Sequence, residues 1–428
     1  MKHYDCIAIG TGSAMNIVEA LLNSNPEARV AVIDKDDPGG ICLTRACIPS
    51  KLLIYPAELV RSVEEAAKHG IQAEITEVDF LAVMDRMRNT IDRDIRSIEK
   101  SLQEAEAVDY FRDTAEFIEP HTLRVGQETI RGDMILLCTG SRPAIPNIRG
   151  LDQVDYLTSD TLLGLKELPK SLIILGGGYI AAEYGHFFSA MGSRVTILGR
   201  NPRFLPEEEP EISVAAKQKM SGMMDVLTGH EVMQVESEDR QQIRVRARQR
   251  RTGQEREFTA EALLLAAGRA SNADLIRPDR GGIETDEHGW IRVDDRLETS
   301  SKNVWAFGDA TGRHLFKHVA NYESRVVYAN ALLGESMQAS YHAVPHAVFA
   351  SPEIAAVGLG EAEAAAAYGG DNILIGFQPF DETARGEAMM LEECFVKVIL
   401  EKTSERILGA HIIGPKASIL IQELINLI

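Results

Sequence analysis

Tyr4-Asp5-Cys6-Ile7-Ala8-Ile9-Gly10-Thr11-Gly12 is an apolar run that breaks on two glycines one residue apart. A helix-like stretch follows through Leu22, and a second apolar run, residues 29–33, ends on Asp34. Strand, glycine turn, helix, strand and acid in that order form a βαβ dinucleotide fingerprint. The glycines allow a pyrophosphate to approach the backbone and the helix N-terminus stabilises its charge. The acid, about 20 residues on, holds a ribose hydroxyl. Ser13 and Lys35 lie in the same two loops. Met15 stands where a third glycine is usual, which loosens the expected helix–strand contact. The fingerprint recurs: residues 171–175 run into Gly176-Gly177-Gly178-Tyr179-Ile180-Ala181, and residues 194–198 read as the next strand. Two such units predict an α/β chain with two Rossmann-like folds and two bound nucleotides.

A second segment speaks to chemistry: Gly39-Gly40-Ile41-Cys42-Leu43-Thr44-Arg45-Ala46-Cys47-Ile48-Pro49-Ser50-Lys51. On an unbroken helix, positions five apart are separated by about 7–8 Å along the axis. A disulfide tolerates Cα separations only up to about 6.8 Å. The two sulfurs can therefore join only where the backbone is distorted. Pro49 is the expected source of distortion, because it lacks an N–H and its ring clashes with the carbonyl of Arg45. Gly39 and Gly40 allow close approach to a planar ligand. The alternative is a pair of buried structural cysteines.

The segment resembles the redox-active signature of the pyridine nucleotide–disulfide oxidoreductases, which include dihydrolipoamide dehydrogenases, glutathione, mycothione and mercuric reductases. The resemblance extends over essentially the whole chain. It implies FAD in the first fold and NAD(P)H in the second. On the FAD side it points to Gly10, Gly12, Ser13, Asp34, Lys35, Gly40 and Lys51. The strand-then-glycine turn Leu136-Leu137-Cys138-Thr139-Gly140-Ser141-Arg142 adds Thr139, Gly140 and Ser141. Val304-Trp305-Ala306-Phe307-Gly308-Asp309-Ala310 resembles the second FAD segment and adds Gly308 and Asp309. Lys317-His318-Val319-Ala320-Asn321 is similar to a mycothione reductase stretch and adds His318 and Ala320; Ser271-Asn272-Ala273-Asp274-Leu275 is similar to another. For NAD(P)H the same logic gives Gly176, Gly178, Tyr179, Ile180 and Gly268, the last from the turn in residues 263–269. Where an NAD-binding strand would end on an acid, this one has Gly199-Arg200-Asn201-Pro202-Arg203. Arg200 and Arg203 can clamp a 2′-phosphate with charge-assisted hydrogen bonds, so NADPH is expected over NADH.

The implied domains are residues 1–149 with 271–338 for FAD, 150–270 for NAD(P)H, and a C-terminal α+β interface domain at 339–428. In that last part, residues 347–357, 395–400 and 407–413 read as an antiparallel sheet of the family's dimer-forming type, so a homodimer is expected. An amphipathic helix starting near Asp79 carries Val83, Met87, Ile91, Ile95, Ile98 and Leu102 on one stripe. It is expected to pack on a preceding helix at residues 56–69.

Composition narrows the class. At 428 residues the chain exceeds one ordinary core. A formal charge of −19 argues against nucleic acid or an anionic membrane as partner. The basic run at residues 244–251 is read as a solvated hairpin. No apolar run reaches the ~20 residues of a membrane helix, and the start lacks the apolar stretch of a signal peptide. A cytoplasmic protein is expected, in which a 42–47 bridge would cycle. Cys6, Cys138 and Cys394 read as buried thiols. The histidines show no metal-ligand spacing, so no metal is assigned.

By resemblance, NADPH reduces FAD, which opens the Cys42–Cys47 bridge. Cys47 stays beside the flavin and Cys42 exchanges with a small disulfide substrate. Tyr179 covers the nicotinamide pocket, and Lys51 pairs with Glu183. The family's His-x-x-x-x-Glu dyad falls beyond residue 428, so the interface domain is expected to be incomplete. Arg45 invites either an anionic substrate or a solvent contact. The alternatives to a disulfide reductase are a flavoprotein that reduces a metal ion, quinone or dye, and a catalytically idle FAD-binding subunit.

Overall fold

The computed structural model describes residues 1–239 and 242–428. The chain divides into two compact units, one of Met1–Pro49, Met87–Arg142 and Arg269–Ser340, the other of Ser50–Arg86, Pro143–Gly268 and Tyr341–Ile428.

The first unit is built on a parallel sheet in the order Val108–Phe111, Val30–Ile33, Lys2–Ile9, Glu128–Leu137. Val304–Ala306 also pairs in parallel with Glu128–Leu137, and Thr122–Val125 and Ala115–Glu119 extend the sheet as an antiparallel meander. The first strand is covered on both faces, which is why it reads as an unbroken apolar run. Ile7 and Ile9 join one core with Phe117 and Leu123. Cys6 and Ala8 join the other with Val18 and Val326. Helix Ala14–Ser24 seals that second face through Ala14, Ile17, Val18 and Leu21. Met15 is partly buried against the same core, so the helix stays docked without the third glycine.

The second unit contains the other nucleotide fold. Its parallel sheet runs Asp225–Thr228, Arg194–Gly199, Ser171–Leu175, Ala262–Leu265, Leu157–Thr158. The basic run lies on strand Gln242–Gln249 and the turn after it. Arg244, Arg246 and Arg248 pair with Glu238, Glu257 and Glu255 on the flanking strands. This is the solvated hairpin expected of it, with cross-strand charges in place of a binding patch. The C-terminal part is a five-stranded antiparallel sheet, ordered His346–Val348, Ile354–Gly358, Ile407–Ile413, Phe395–Glu401, Ile373–Pro379. Helix Ala417–Ile425 packs Ala417 and Ile421 onto it.

The long amphipathic helix is Phe80–Glu104. Its C-terminal end places Ile98 and Leu102 in the first unit's core, a use of the stripe beyond the expected helix pairing. Its first turns contribute Phe80 to the second unit, against Phe187. The preceding helix is longer than expected, Cys47–Ala66 with a 3₁₀ end at Ala67–His69.

His186, on helix Tyr179–Met191, is fully buried, and neither ring nitrogen has a partner among the described residues. Burial, and then the nearby Arg61 charge, push its imidazole down to about 4. An unfolded histidine titrates near 6.5, so between those values the unfolded chain holds more protons and stability is lost as the pH drops from 6.5 toward 4. The loss reaches about 3 kcal/mol at the bottom of that window by the same linkage. His186→Phe should flatten this part of a urea-midpoint profile against pH; an unchanged slope would exclude His186 as its source.

Candidate active site

In the first unit the glycine turn and its neighbours close into a cradle. Gly10 has φ of 100°, and a Cβ there would run into the carbonyl oxygen of Cys138. Gly40, at φ of 71°, presses on the same turn: its Cβ would stand 2.7 Å from the Cα of Gly12. Thr139 and Gly140 follow Cys138, so they lie beside this turn. The space on the side-chain face of Gly140 is open, and the Thr139 hydroxyl is buried without a partner among the described residues. A pyrophosphate-bearing ligand fits that combination, with the N-terminus of helix Ala14–Ser24 next to it.

Asp34 accepts from the Thr11 amide at 2.9 Å and the Thr11 hydroxyl at 2.5 Å through one oxygen, and from the Asp36 amide at 3.1 Å through the other. Lys35 turns to Asp36 at 2.9 Å. Ser13 donates to Asn321 at 2.9 Å and accepts from Lys317 at 3.0 Å, which ties the turn to helix Lys317–Ala331. Asp309 accepts from the Ser141 hydroxyl, which in turn accepts from Arg269 at 2.6 Å. Burial lifts the Asp309 carboxyl above the usual range, against the opposing pull of Ser141 and Arg269. Ala320 packs where a Cβ on Gly308 would stand, and His318 stacks on Phe316 at 5.4 Å. The motif reading missed Glu323, which is buried and accepts the Gly308 amide at 2.6 Å. Its signal was the single acid of helix Lys317–Ala331, placed on the buried face with Val319, Val326 and Val327.

The cysteine segment breaks at Arg45, the residue whose carbonyl Pro49 cannot bond. A short helix, Gly40–Thr44, carries Cys42 and ends at Arg45, with φ −153° and ψ 8°. A new helix begins at Cys47. Pro49 therefore sits in the first turn of that second helix, where a missing N–H costs nothing. In a continuous helix it would have lacked its bond to Arg45, and the chain avoids that conflict by stopping earlier. Cys42 and Cys47 are both half-buried. Cys6 and Cys394 are buried, as expected, and desolvation pushes their thiols up to about 12 and about 11. Cys138 is half-buried, and desolvation likewise pushes it up to about 11. None of the three is poised as a thiolate at neutral pH.

The second unit brings together the predicted Lys51 and Glu183. The ammonium lies 2.9 Å from both carboxylate oxygens. Glu183 is buried on helix Tyr179–Met191 and also accepts the Phe349 amide at 3.1 Å. The Phe349 ring lies 4.6 Å from the Lys51 nitrogen. Lys51 is thus held as a fixed cation. Gly176 repeats the close approach of Gly10, here to the Ala266 carbonyl, and Gly178 caps the helix that starts at Tyr179 and Ile180. Tyr179 is 37% exposed, enough for its ring to cover a surface site. Gly268 has φ of 108° and open space on its side-chain face. Arg200 and Arg203 are exposed at the end of strand Arg194–Gly199, and Arg203 donates to the Pro206 carbonyl at 3.3 Å. Among the described residues no cluster of three or more potential ligands could hold a metal, and no helix is long and apolar enough to cross a membrane.

Residues 4–343 match the pyridine nucleotide-disulphide oxidoreductase profile, and residues 344–428 match that family's dimerisation domain. The chain belongs to this family. It is 37% identical to the mycothione reductase of Mycobacterium tuberculosis, over 100% of this chain and 93% of that protein. It is 32% identical to the dihydrolipoyl dehydrogenase of Chlamydia pneumoniae (99% and 90%) and 30% to a mercuric reductase of Staphylococcus aureus (97% and 75%). Among solved structures, an HOCl-induced flavoprotein disulfide reductase of Escherichia coli, as its Cu(II) complex, superposes with a TM-score of 0.86 at 29% identity, covering 99% of this chain and 92% of that one. The protein is an FAD-dependent oxidoreductase of the NAD(P)H:disulfide class.

Proposed function

We propose that this enzyme reduces a small disulfide with NADPH, and that Cys42 and Cys47 are its exchanging pair. The carrying observation is the backbone of residues 40–47: two half-buried cysteines separated by a helix break at Arg45. The net reaction is NADPH + H⁺ + RSSR → NADP⁺ + 2 RSH. FAD, held by the Gly10–Gly12 turn, Thr139–Ser141 and Gly308–Asp309, would supply two-electron chemistry between nicotinamide and sulfur. The Cys42 thiolate attacks one substrate sulfur, breaking the RS–SR bond and releasing the first thiol. Cys47 then attacks the Cys42 sulfur, closing the internal bond and releasing the second. The two electrons that reopen that bond come from NADPH. Glu183 holds Lys51 in place, four residues after Cys47 on the same helix.

The first of the finer assignments is the coenzyme. Arg200 occupies the position where an acid would select NADH, and no ion pair engages it among the described residues. Charge-assisted bonds to a 2′-phosphate predict that Arg200→Glu lowers kcat/KM for NADPH by about 10–10²-fold. NADH should be unaffected, and equal use of both coenzymes by the unaltered enzyme would overturn the assignment. The substrate is read as a disulfide of the mycothione or lipoamide type, on the strength of the 37% and 32% relatives. Two observations favour a second reading, metal-ion reduction: the mercuric reductase relatives and the Cu(II) complex of the structural neighbour. Turnover of mycothione, lipoamide, glutathione disulfide and mercuric ion, measured side by side, separates the two. The dimerisation match supports a homodimer, testable by sedimentation. A cycling cysteine pair suits the cytoplasm. The FAD and nucleotide domains follow the two βαβ units, with the interface domain after them.

A further inference from the structure

The geometry points to Asp36 and Arg45 as the positioning pair that sets the separation of the two sulfurs, an inference that rests on Cys42 and Cys47 being the exchanging pair. A five-residue helix, Gly40–Thr44, is too short to hold its own shape. Some external contact must fix where it stops and where the Cys47 helix starts. Arg45, the residue at the break, reaches back to Asp36 with Nη2 2.5 Å from Oδ2. The same carboxylate oxygen takes Lys35 at 2.9 Å. Both side chains of the Asp36–Arg45 pair are only about a third exposed or less, at 30% and 27%, so water screens it less than an open surface pair. Burial disfavours the Asp36 anion, yet Lys35 and Arg45 outweigh it and hold the carboxyl below its usual range.

Asp36 is itself anchored. Its amide donates to Asp34, and the other Asp34 oxygen is bonded by Thr11. The Thr11 hydroxyl also accepts the Gly39 amide at 2.9 Å. Next door, Arg112 binds both Asp37 and Glu99. The segment is thus pinned twice to one frame, through Gly39 ahead of Cys42 and through Arg45 between the cysteines. The sequence position of Arg45 invited an anionic substrate or a solvent contact, and the structure adds a third use. Its guanidinium is engaged with Asp36.

The test uses the full-length FAD holoenzyme with Asp36→Asn, Arg45→Gln, and the charge swap combining Asp36→Arg with Arg45→Asp. Iodoacetamide alkylation of the NADPH-reduced protein, mapped by peptide mass spectrometry across pH, reports the environment of each thiol separately. Disulfide kcat and KM, FAD content and thermal midpoint are read beside it. Misplacement of reacting atoms by about 1 Å can cost about 10²-fold. Each single variant should therefore lose about 10–10²-fold in kcat with KM within about twofold. It should also lose the alkylation preference between Cys42 and Cys47 at full FAD content, and the swap should restore both. Unchanged preference and kcat in Asp36→Asn would overturn the proposal, as would a loss of thermal stability with chemistry intact. If a charge-removing variant fails to fold, Arg45→Lys keeps the cation but shortens its reach; the preference should shift there too, and no shift counts against the pair. Cys42→Ser and Cys47→Ser run in parallel. Disulfide turnover that survives them removes the reading of the cysteines, whatever Asp36 does.

Discussion

Cys47→Ser is expected to abolish disulfide reduction, a fall of on the order of 10³-fold or more, as for removal of a covalent nucleophile. FAD content and the far-ultraviolet dichroism spectrum should not change. Serine fits where cysteine stood: Cys47 is the first residue of helix Cys47–Ala66, a position that serine tolerates, and no core is emptied because the side chain is half-buried. The long-wavelength absorbance of a thiolate against flavin should vanish from the reduced protein. Cys42→Ser should also abolish turnover but keep that band, if the proposed roles of the two cysteines hold and Cys47 is the thiol facing the flavin. This asymmetry is the discriminating result. Two buried structural cysteines would give equal, stability-linked losses from the two variants. Survival of the band in Cys47→Ser would reverse the roles, and metal-ion turnover that outlasts both variants would favour the second functional reading.

Much of this was legible in the chain because the signals are local. A fully buried strand of a parallel sheet must be apolar at every position, and a close backbone approach must be glycine. Residues 4–12 and 171–178 therefore announce themselves. The break between the cysteines was legible for the same reason, because Pro49 cannot continue a helix through Arg45. Lys51 and Glu183 lie 132 positions apart and were joined through family resemblance, not through any pattern in the residues. Contacts fixed by the tertiary fold left little trace. Neither the Glu323–Gly308 bond nor the pairing of Asp36 with Arg45 follows from periodicity. Strand Ile373–Pro379 also escaped notice. It contains Gly376 and ends on Pro379, residues depleted from strands, and it leaves Leu374, Ile375 and Phe377 exposed on a sheet edge.

Lys397 was equally invisible, and it predicts a large stability effect. It lies on Phe395–Glu401 with its side chain 2% exposed, 2.6 Å from Glu209, 2.6 Å from Glu361 and 3.2 Å from Glu211. Burial disfavours its ammonium, but the carboxylates outweigh that and raise its pKa far above the ordinary lysine value. Lys397→Met keeps the aliphatic stem and deletes the charge. Glu209, 7% exposed, is then left beside two other carboxylates without a cation, and breaking a buried pair in this way costs about 3–5 kcal/mol. Glu361 and Glu211 are nearly half-exposed and can turn to water, which places the expected loss toward the lower end. The double variant Lys397→Met with Glu209→Gln should regain part of it, because the uncompensated charge is gone. Glu209 and Glu211 follow directly on the loop that holds Arg200 and Arg203, so slackening them should raise KM for NADPH and leave KM for the disulfide alone. A stability from urea unfolding within about 1 kcal/mol of the unaltered protein, the size of a surface ion pair, would mean that water reaches this cluster and that Lys397 does not anchor the segment after Arg203 to the C-terminal sheet.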